Sequence, residues 1–133
     1  MRKHSEKHPC PVCNYLVFSD AAGSYDICPI CFWEDDLVQL AFPDMAGGAN
    51  KVSLIEAQNN FAKFGVSEQR FKGNVRKATE VDSRDKLWRP INIDKDIYLH
   101  WNSEIDRNRW QSYKDKQPLR LYYWQDDYWL KRT

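Results

Sequence analysis

Cys10-Pro-Val-Cys13 and Cys28-Pro-Ile-Cys31 decide the fold of this chain, because these two short motifs contain all four of its cysteines. A spacer of 14 residues separates them. Each Cys-x-x-Cys motif can present two sulfur ligands from one tight turn, and a tetrahedral Zn²⁺ ion takes four such ligands. The spacing therefore predicts one structural Zn²⁺ ion, held by Cys10, Cys13, Cys28 and Cys31.

The spacer has the composition of two short strands joined by a turn. Residues 14–18 and 25–27 are rich in Tyr, Val, Leu, Phe and Ile, whereas residues 19–24 are rich in Ser, Asp, Ala and Gly. The chain can thus leave the metal and return to it, which predicts a zinc-ribbon-like β module. Four thiolates leave no open coordination position, so we expect the ion to stabilise the fold and not to catalyse.

Other roles of the cysteines are disfavoured. The basic N-terminal stretch leads into no apolar segment, so we expect neither a secretion signal nor an anchor, and disulfides are typical of secreted proteins. A thioredoxin-like redox pair would use one motif and leave the second unexplained. His4 and His8 are alternative metal ligands, although histidines in a basic tail are more often solvated.

A helix with clear end signals follows the cysteine motifs. Ser53 and Glu56 form a capping box, in which each side chain binds a backbone amide of the first turn. Apolar residues then recur at helical spacing up to Phe64, and Gly65 stands where a left-handed cap is expected. Residues 54–64 are therefore predicted to form an amphipathic helix that packs on the ribbon.

The two halves of the chain differ in composition. Residues 1–65 contain five Lys/Arg and eight Asp/Glu, whereas residues 66–133 contain fifteen and eleven. All five glycines lie in the first half or shortly after it. We expect an α+β fold, with a zinc-ribbon-like module over residues 1–80 and an aromatic-rich α/β extension over residues 81–133, packed on or beside the module.

Aromatic side chains dominate the C-terminal extension. Residues 86–133 hold ten Trp and Tyr residues and no glycine. Ser-Glu-Ile-Asp at residues 103–106 predicts the start of a helix, and residues 119–124 and 128–130 predict a terminal hairpin. Tryptophan and tyrosine dominate the hot spots of protein interfaces. We expect some of these rings in the core and a few at a binding surface.

Further motifs follow the cysteines in order along the chain. They are Tyr25-Asp-Ile-Cys-Pro-Ile-Cys31, Trp33-Glu-Asp-Asp36, Pro43-Asp-x-x-Gly-Gly-Ala-Asn50, Ser53-Leu-x-Glu-Ala57 and Phe64-Gly65. Together with the first cysteine motif they resemble the bacterial cysteine-rich CPCC domain family, over roughly residues 8–65. Two positions depart from the family pattern: Val12 replaces a third cysteine of the first motif, and Phe32 replaces a glycine often found after the second.

The resemblance implies a function that the residues alone do not. Domains of this family are small bacterial proteins without an established catalytic activity, and some occur beside secreted antibacterial toxins, where they look like immunity proteins. We therefore expect an immunity protein that binds a cognate toxin 1:1 and occludes its active site. A nuclease toxin is favoured, because its basic cleft would suit acids around an aromatic anchor. The expected contact residues are Trp33, Glu34, Asp35, Asp36, Trp124, Asp126, Asp127 and Trp129.

Composition and motifs exclude several other classes. Hydrophobic residues make up 42% and charged residues 29% of the 133 residues, which is typical of a soluble globular protein, and we expect a cytoplasmic location. His100 is the one histidine outside the N-terminal tail, and the chain has no nucleophile elbow. No enzyme is therefore expected.

Two alternatives to the immunity protein stay open. A nucleic-acid-binding zinc ribbon could use the basic residues of the C-terminal half, although the net charge of +1 lacks the excess that nonspecific nucleic-acid binders carry. A zinc- or redox-responsive regulator would need a reactive thiolate, and thiolates bound to zinc are usually protected.

Overall fold

The computed structural model describes residues 7–132 of the chain. In this part, two short strands form one antiparallel sheet, and three α-helices and two 3-10 helices are joined by turns and loops. The strands are β1 (His8–Pro9) and β2 (Leu16–Phe18), and the α-helices are α1 (Leu37–Ala41), α2 (Leu54–Phe64) and α3 (Glu104–Tyr113). The 3-10 helices span Gln69–Asn74 and Trp129–Arg132. This mixture of elements agrees with the α+β class.

Each cysteine motif forms the turn between two short segments that pair with each other. β1 and β2 pair on either side of the first motif. An isolated bridge between Ile27 and Glu34 brackets the second motif. The strand predicted within residues 14–18 is confirmed in β2, whereas residues 25–27 do not pair with β2 as the predicted spacer hairpin requires. A tight turn brings its own flanking residues together, so each motif closes its own ladder.

The helix predicted at residues 54–64 is confirmed as α2. The Ser53 side chain accepts a hydrogen bond from the Glu56 amide at 3.1 Å, as the capping box predicts. Gly65 ends the helix with a φ of 78°, and its amide donates to the Phe61 carbonyl. This left-handed conformation costs glycine little because it has no Cβ atom.

The C-terminal region was predicted partly correctly. α3 begins where expected, since the Ser103 side chain accepts from the Asp106 amide at 3.1 Å. The terminal hairpin is wrong: residues 119–128 contain no strand, and the chain runs through turns into the last 3-10 helix. Tyr123 and Trp124 are neighbours in sequence and are both buried. Side chains of a half-exposed strand alternate between its faces, so this burial pattern does not fit the predicted hairpin.

One hydrophobic core joins the two parts of the chain. It contains the four cysteines together with Leu40 and Leu54 from the first half, and Leu99, Trp110 and Leu130 from the second. The C-terminal region therefore packs on the same core as the cysteine motifs. Between residues 7 and 132, no helix has the length and apolar character that a membrane span requires.

Candidate metal centre and contact surface

The sulfur atoms of the four cysteines lie close together, between the two motifs. The Sγ atoms of Cys10 and Cys31 are 3.5 Å apart, and those of Cys13 and Cys28 are 3.6 Å apart. All four lie within 4.8 Å of one another. Sulfur atoms at the corners of a tetrahedron would be about 3.8 Å apart, given Zn–S bonds of about 2.3 Å. The cluster therefore has the size that a four-sulfur site for one metal ion requires.

The two motifs fold into the same turn, and we refer to residues 10–15 as knuckle 1 and to residues 28–33 as knuckle 2. In each, the amide of the residue after the second cysteine donates to the carbonyl of the first, at 2.8 Å in knuckle 1 and 2.9 Å in knuckle 2. These donors, Asn14 and Phe32, have positive φ values of 81° and 70°. The left-handed residue turns the chain back so that both sulfur atoms of a knuckle point the same way.

Burial and hydrogen bonding shape the chemistry of the thiols. The amides of Ile30 and Cys31 each donate to Cys28 Sγ at 3.4 Å. Burial raises the pKa of the Cys10 and Cys31 thiols. Hydrogen bonds, the largest from Cys10, lower the pKa of Cys28. Several buried thiolates repel one another unless a cation lies among them, so this donor set fits a thiophilic divalent ion.

The centre is closed to solvent. Cys13, the most exposed of the four cysteines, is 4% exposed. Among residues 7–132, this is the one group of His, Cys, Asp and Glu side chains that can hold a metal ion. A four-coordinate ion in this group has no position for water or substrate, and when bound it supplies a crosslink between the knuckles. The arrangement suits a structural role.

His8 and Val12 do not belong to the cluster. His8 lies in β1 and is not one of the grouped ligands, and His4 lies outside the described residues. Val12, which stands where the family pattern has a further cysteine, is fully buried in the core. An apolar side chain at this position packs without adding a fifth thiol.

Three of the four contact residues predicted at residues 33–36 lie in the interior. Trp33 is 0% exposed, Asp35 is 2% exposed and Asp36 is 5% exposed, whereas the Glu34 side chain is half-buried. A buried side chain offers no surface to a partner. The prediction of a contact patch is therefore corrected for Trp33, Asp35 and Asp36.

The two buried carboxylates hold neighbouring segments in place. Asp36 caps α1 by accepting from two of its first-turn amides at 2.8 and 3.1 Å, and it also accepts from the Ala49 amide at 2.8 Å. Asp35 accepts from the amide and the hydroxyl of Ser24, at 3.1 and 2.8 Å. Burial raises the pKa of Asp35. These acids resemble a solvated patch in the sequence, but their hydrogen bonds are intramolecular.

Gln39 and Asn50 extend this buried polar network. The Gln39 side-chain amide donates to three backbone carbonyls at 3.0–3.1 Å. The Asn50 side chain donates to the Glu34 carbonyl at 2.8 Å and accepts from the Glu34 amide at 2.9 Å. A Cβ atom on Gly48 would lie 2.7 Å from Asp36 Oδ2, so glycine permits the close approach of the loop. One buried hydrogen-bond network thus joins the Trp-Glu-Asp-Asp and Gly-Gly-Ala-Asn motifs.

The C-terminal contact residues divide into one buried and three accessible side chains. Trp124 is 5% exposed, and its indole Nε1 donates to Asp85 Oδ2 at 2.9 Å, which corrects its prediction as a contact residue. Asp126 is exposed, and Asp127 and Trp129 are half-buried. The accessible part of the predicted surface therefore consists of Asp126, Asp127 and Trp129, together with the half-buried Glu34.

Gln58, which was not among the predicted site residues, links α2, knuckle 1 and the C-terminal region. Its Nε2 donates to the Pro11 carbonyl and to Tyr123 Oη, both at 2.9 Å, and its Oε1 accepts from the Ile91 amide at 2.9 Å. The signal was available in the helical spacing. Gln58 follows Leu54 by four residues, so it lies on the apolar face of α2.

Knuckle 1 holds the C-terminal region at further points. Trp88 Nε1 donates to the same Pro11 carbonyl at 3.1 Å. The Asp85 amide donates to the Asn14 side chain at 3.0 Å. Knuckle 1 and the C-terminal region are therefore joined by both side-chain and backbone atoms.

Comparison with known protein families identifies a family. A family model described as "Cysteine-rich CPCC" matches residues 8–82, which is more than half of the chain. A search of curated proteins finds no match. The matched segment contains both knuckles and the buried polar network, and it ends before Asp126, Asp127 and Trp129.

Proposed function

The chain belongs to the cysteine-rich CPCC family, and we propose that it is an immunity protein with one structural Zn²⁺ ion. In this proposal it acts in the cytoplasm, binds a cognate antibacterial toxin 1:1 and occludes the active site of that toxin without turnover. The observation that carries the proposal is a division between the two parts of the chain. The metal centre is buried and closed, whereas charged and aromatic side chains of the C-terminal region reach the surface.

Zinc is the proposed metal because of the donor set. Four thiolates at tetrahedral spacing suit Zn²⁺, whereas Mg²⁺ and Ca²⁺ prefer oxygen ligands. With every coordination position taken by sulfur, the ion contributes to folding and leaves binding to the protein surface.

The proposed contact surface consists of Asp126, Asp127 and Trp129. Asp126 is exposed, and the other two side chains are half-buried. Carboxylates near an aromatic side chain complement a basic cleft, and a nuclease has such a cleft because it binds phosphates. A nuclease is therefore the first class of toxin to test.

The test is rescue of cells from a candidate toxin, defined as the product of an adjacent gene whose expression alone arrests growth. Co-expression should restore growth, and calorimetry with a catalytically inactive toxin should give one-to-one binding. Asp126→Lys should weaken binding about tenfold, because a carboxylate at the interface becomes a cation. Its melting temperature should stay unchanged, since an exposed substitution costs little stability. The matched control is Asp20→Lys, an equal charge change at an exposed residue of the matched segment.

The immunity proposal fails if the folded, zinc-loaded protein neither restores growth nor binds the toxin at micromolar concentration. If binding occurs but Asp126→Lys and Asp20→Lys behave alike, the contact surface lies elsewhere and the three-residue assignment is wrong.

The two alternatives receive less support. Nucleic-acid binding needs accessible cations, and Arg76 and Arg89 are bound to Asp82 and Asp96 at 2.9 and 2.7 Å. A redox-responsive regulator needs a reachable thiolate, and all four cysteines are buried.

A further inference from the structure

A groove of about 580 Å³ lies between α3 and the C-terminal end of the described chain. Its volume is in the range of protein sites that bind small molecules or short peptide segments. Its lining includes Arg109, Tyr113, Lys116, Arg120, Asp127 and Trp129. We refer to this set as the α3 groove.

The floor of the α3 groove is aromatic and held firmly. The rings of Tyr113 and Trp129 are stacked, with centroids 4.1 Å apart and planes at 5°. The Arg120 amide donates to Tyr113 Oη at 2.7 Å, and the Trp129 amide donates to the Arg120 carbonyl at 3.0 Å. Because these bonds fix both rings, a ligand would lose little free energy in ordering the floor.

The rim of the α3 groove is basic. Arg109, Lys116 and Arg120 line it together with one carboxylate, Asp127. The Arg120 Nε and Asp127 Oδ2 atoms are 3.5 Å apart, and both side chains are about half exposed, so solvent weakens this pair. The Arg109 guanidinium lies 5.7 Å from the centre of the Trp129 ring. The Arg109 Nη1 and Asp106 Oδ1 atoms are 4.0 Å apart, so each arginine of the rim has an acidic neighbour and the excess positive charge comes from Lys116. The groove thus combines an apolar floor with a weakly basic rim.

We propose that the α3 groove binds an acidic peptide segment of a partner protein. An apolar or aromatic side chain of that segment would lie on the Tyr113–Trp129 floor, and its flanking carboxylates would lie near Lys116 and Arg120. Charge complementarity between such a segment and the rim supplies specificity, and burial of the apolar side chain supplies affinity.

The surroundings favour a peptide over a nucleic acid. A nucleic-acid site continues as a track of cations along the backbone. Here the cations are interrupted by the exposed or half-buried acids Asp106, Asp115, Asp126 and Asp127. A short acidic segment needs no such track, so it fits the small basic rim better.

The test uses the zinc-loaded, full-length protein and fluorescein-labelled octapeptides. In one library two central apolar residues are flanked by Asp and Glu, and in the matched library Asn and Gln replace the acids. Fluorescence anisotropy should show saturable binding of acidic peptides, with their amide counterparts at least about tenfold weaker. Raising the salt concentration should weaken the binding of acidic peptides, because the groups involved are exposed.

Two charge reversals locate the site. Lys116→Glu should weaken the best acidic peptide about tenfold, because a rim cation becomes an acid. Lys51→Glu is the matched control and should leave the affinity unchanged, since Lys51 is exposed and does not line the groove. Both side chains are exposed, so both variants should keep the wild-type melting temperature.

Three results would overturn the inference: no saturable binding of any acidic peptide, an equal effect of the two lysine variants, or tighter binding of an oligothymidylate of eight nucleotides than of the acidic peptides. The inference does not require that the partner is a toxin. Asp127 and Trp129 lie in both the α3 groove and the proposed toxin-contact surface. Asp126→Lys tests the toxin surface alone and Lys116→Glu tests the groove alone, so failure of toxin rescue and failure of peptide binding are separate outcomes.

Discussion

Knuckle 1 and knuckle 2 fold into the same turn but contact different parts of the chain. Both close with a bond from the amide of the first cysteine, Cys10 at 2.9 Å and Cys28 at 2.8 Å, to the carbonyl five residues later. Both place a left-handed residue after the second cysteine. Their metal-binding geometry is equivalent, so the difference between them lies in what surrounds each turn.

Knuckle 1 contacts both α2 and the C-terminal region. The Pro11 carbonyl accepts from Gln58 and Trp88, and the Asn14 side chain accepts from the Asp85 amide. Trp88 and Asp85 follow the segment that the family model matches. Knuckle 1 therefore positions the part of the chain that carries the proposed contact surface.

Knuckle 2 is surrounded by the matched segment itself. The Ser67 amide donates to the Cys31 carbonyl at 2.8 Å, and the Arg76 amide donates to the Pro29 carbonyl at 3.0 Å. The Phe32 ring packs against a second aromatic ring of this segment, with centroids 4.4 Å apart. A metal ion between the knuckles would therefore hold the matched segment and the C-terminal region together. Variants that affect both knuckles, knuckle 1 or knuckle 2 measure what each set of contacts contributes.

The largest effect is expected from Cys28→Ser, which removes one ligand and releases both knuckles. Zinc binding contributes about 10–16 kcal/mol to folding in zinc-finger peptides, which is as large as the whole stability of an ordinary domain. The variant should lose stoichiometric zinc and its cooperative thermal transition. Elemental analysis and circular dichroism measure these two quantities.

Wild-type protein treated with a strong chelator is the matched control for Cys28→Ser. It should lose the same structure and regain it when zinc is added back, whereas the variant should not. A native melting profile with nearly one zinc per chain in Cys28→Ser would contradict the structural metal centre.

An intermediate effect is expected from Gln58→Ala, which weakens the contacts of knuckle 1 alone. The substitution leaves the Ile91 amide without its acceptor and opens a small cavity, so the free energy of unfolding should fall by about 2–3 kcal/mol. Zinc content should stay at one per chain, because no ligand changes. Hydrogen exchange should rise in residues 83–91, where the C-terminal region meets knuckle 1.

Asn59→Ala on the exposed face of α2 is the control for Gln58→Ala, and it should change the unfolding free energy by less than about 0.5 kcal/mol. Equal destabilisation by both substitutions would mean that Gln58 does not join the two parts. Loss of zinc in Gln58→Ala would mean that metal binding by knuckle 1 depends on its contacts with the rest of the chain.

Sequence-based prediction succeeded where the signal was local. The cysteine cluster followed from ligand spacing, and α2 followed from Ser53, Glu56 and Gly65, which bind atoms within a few residues of themselves. It failed where a side chain binds a distant partner. Asp36 meets the amide of Ala49, thirteen residues away, so its burial cannot be read from its neighbours.

Long-range contacts also place the aromatic side chains of the C-terminal region. Residues 119–124 and 128–130 predicted a hairpin, but the Tyr123 hydroxyl donates to the Arg89 carbonyl at 2.6 Å, and the Trp124 indole donates to Asp85. These aromatics are placed by long-range contacts, which override strand propensity. Trp129 is half-buried, and its role as a contact residue stays a prediction. The basic rim beside it depends on how α3 packs and could not be inferred from sequence order.

The smallest effect is expected at Phe32, where the two knuckles differ in the residue that takes the left-handed conformation. A bulky side chain at a φ of 70° stores about 1–2 kcal/mol of strain. Phe32→Ala keeps the strain and loses the ring contact, whereas Phe32→Gly relieves the strain. The glycine variant should therefore be more stable than the alanine variant by about 1 kcal/mol, measured by urea unfolding of zinc-loaded protein.

Phe71, the ring that packs on Phe32, provides the control for this comparison. It lies in a 3-10 helix and lacks a positive φ, so the order should reverse there. Phe71→Gly should be less stable than Phe71→Ala by about 1 kcal/mol, because glycine loses more backbone entropy when it is ordered in a helix. If glycine were the less stable variant at both positions, the left-handed turn of knuckle 2 would carry no strain, and the two knuckles would differ in their neighbours alone.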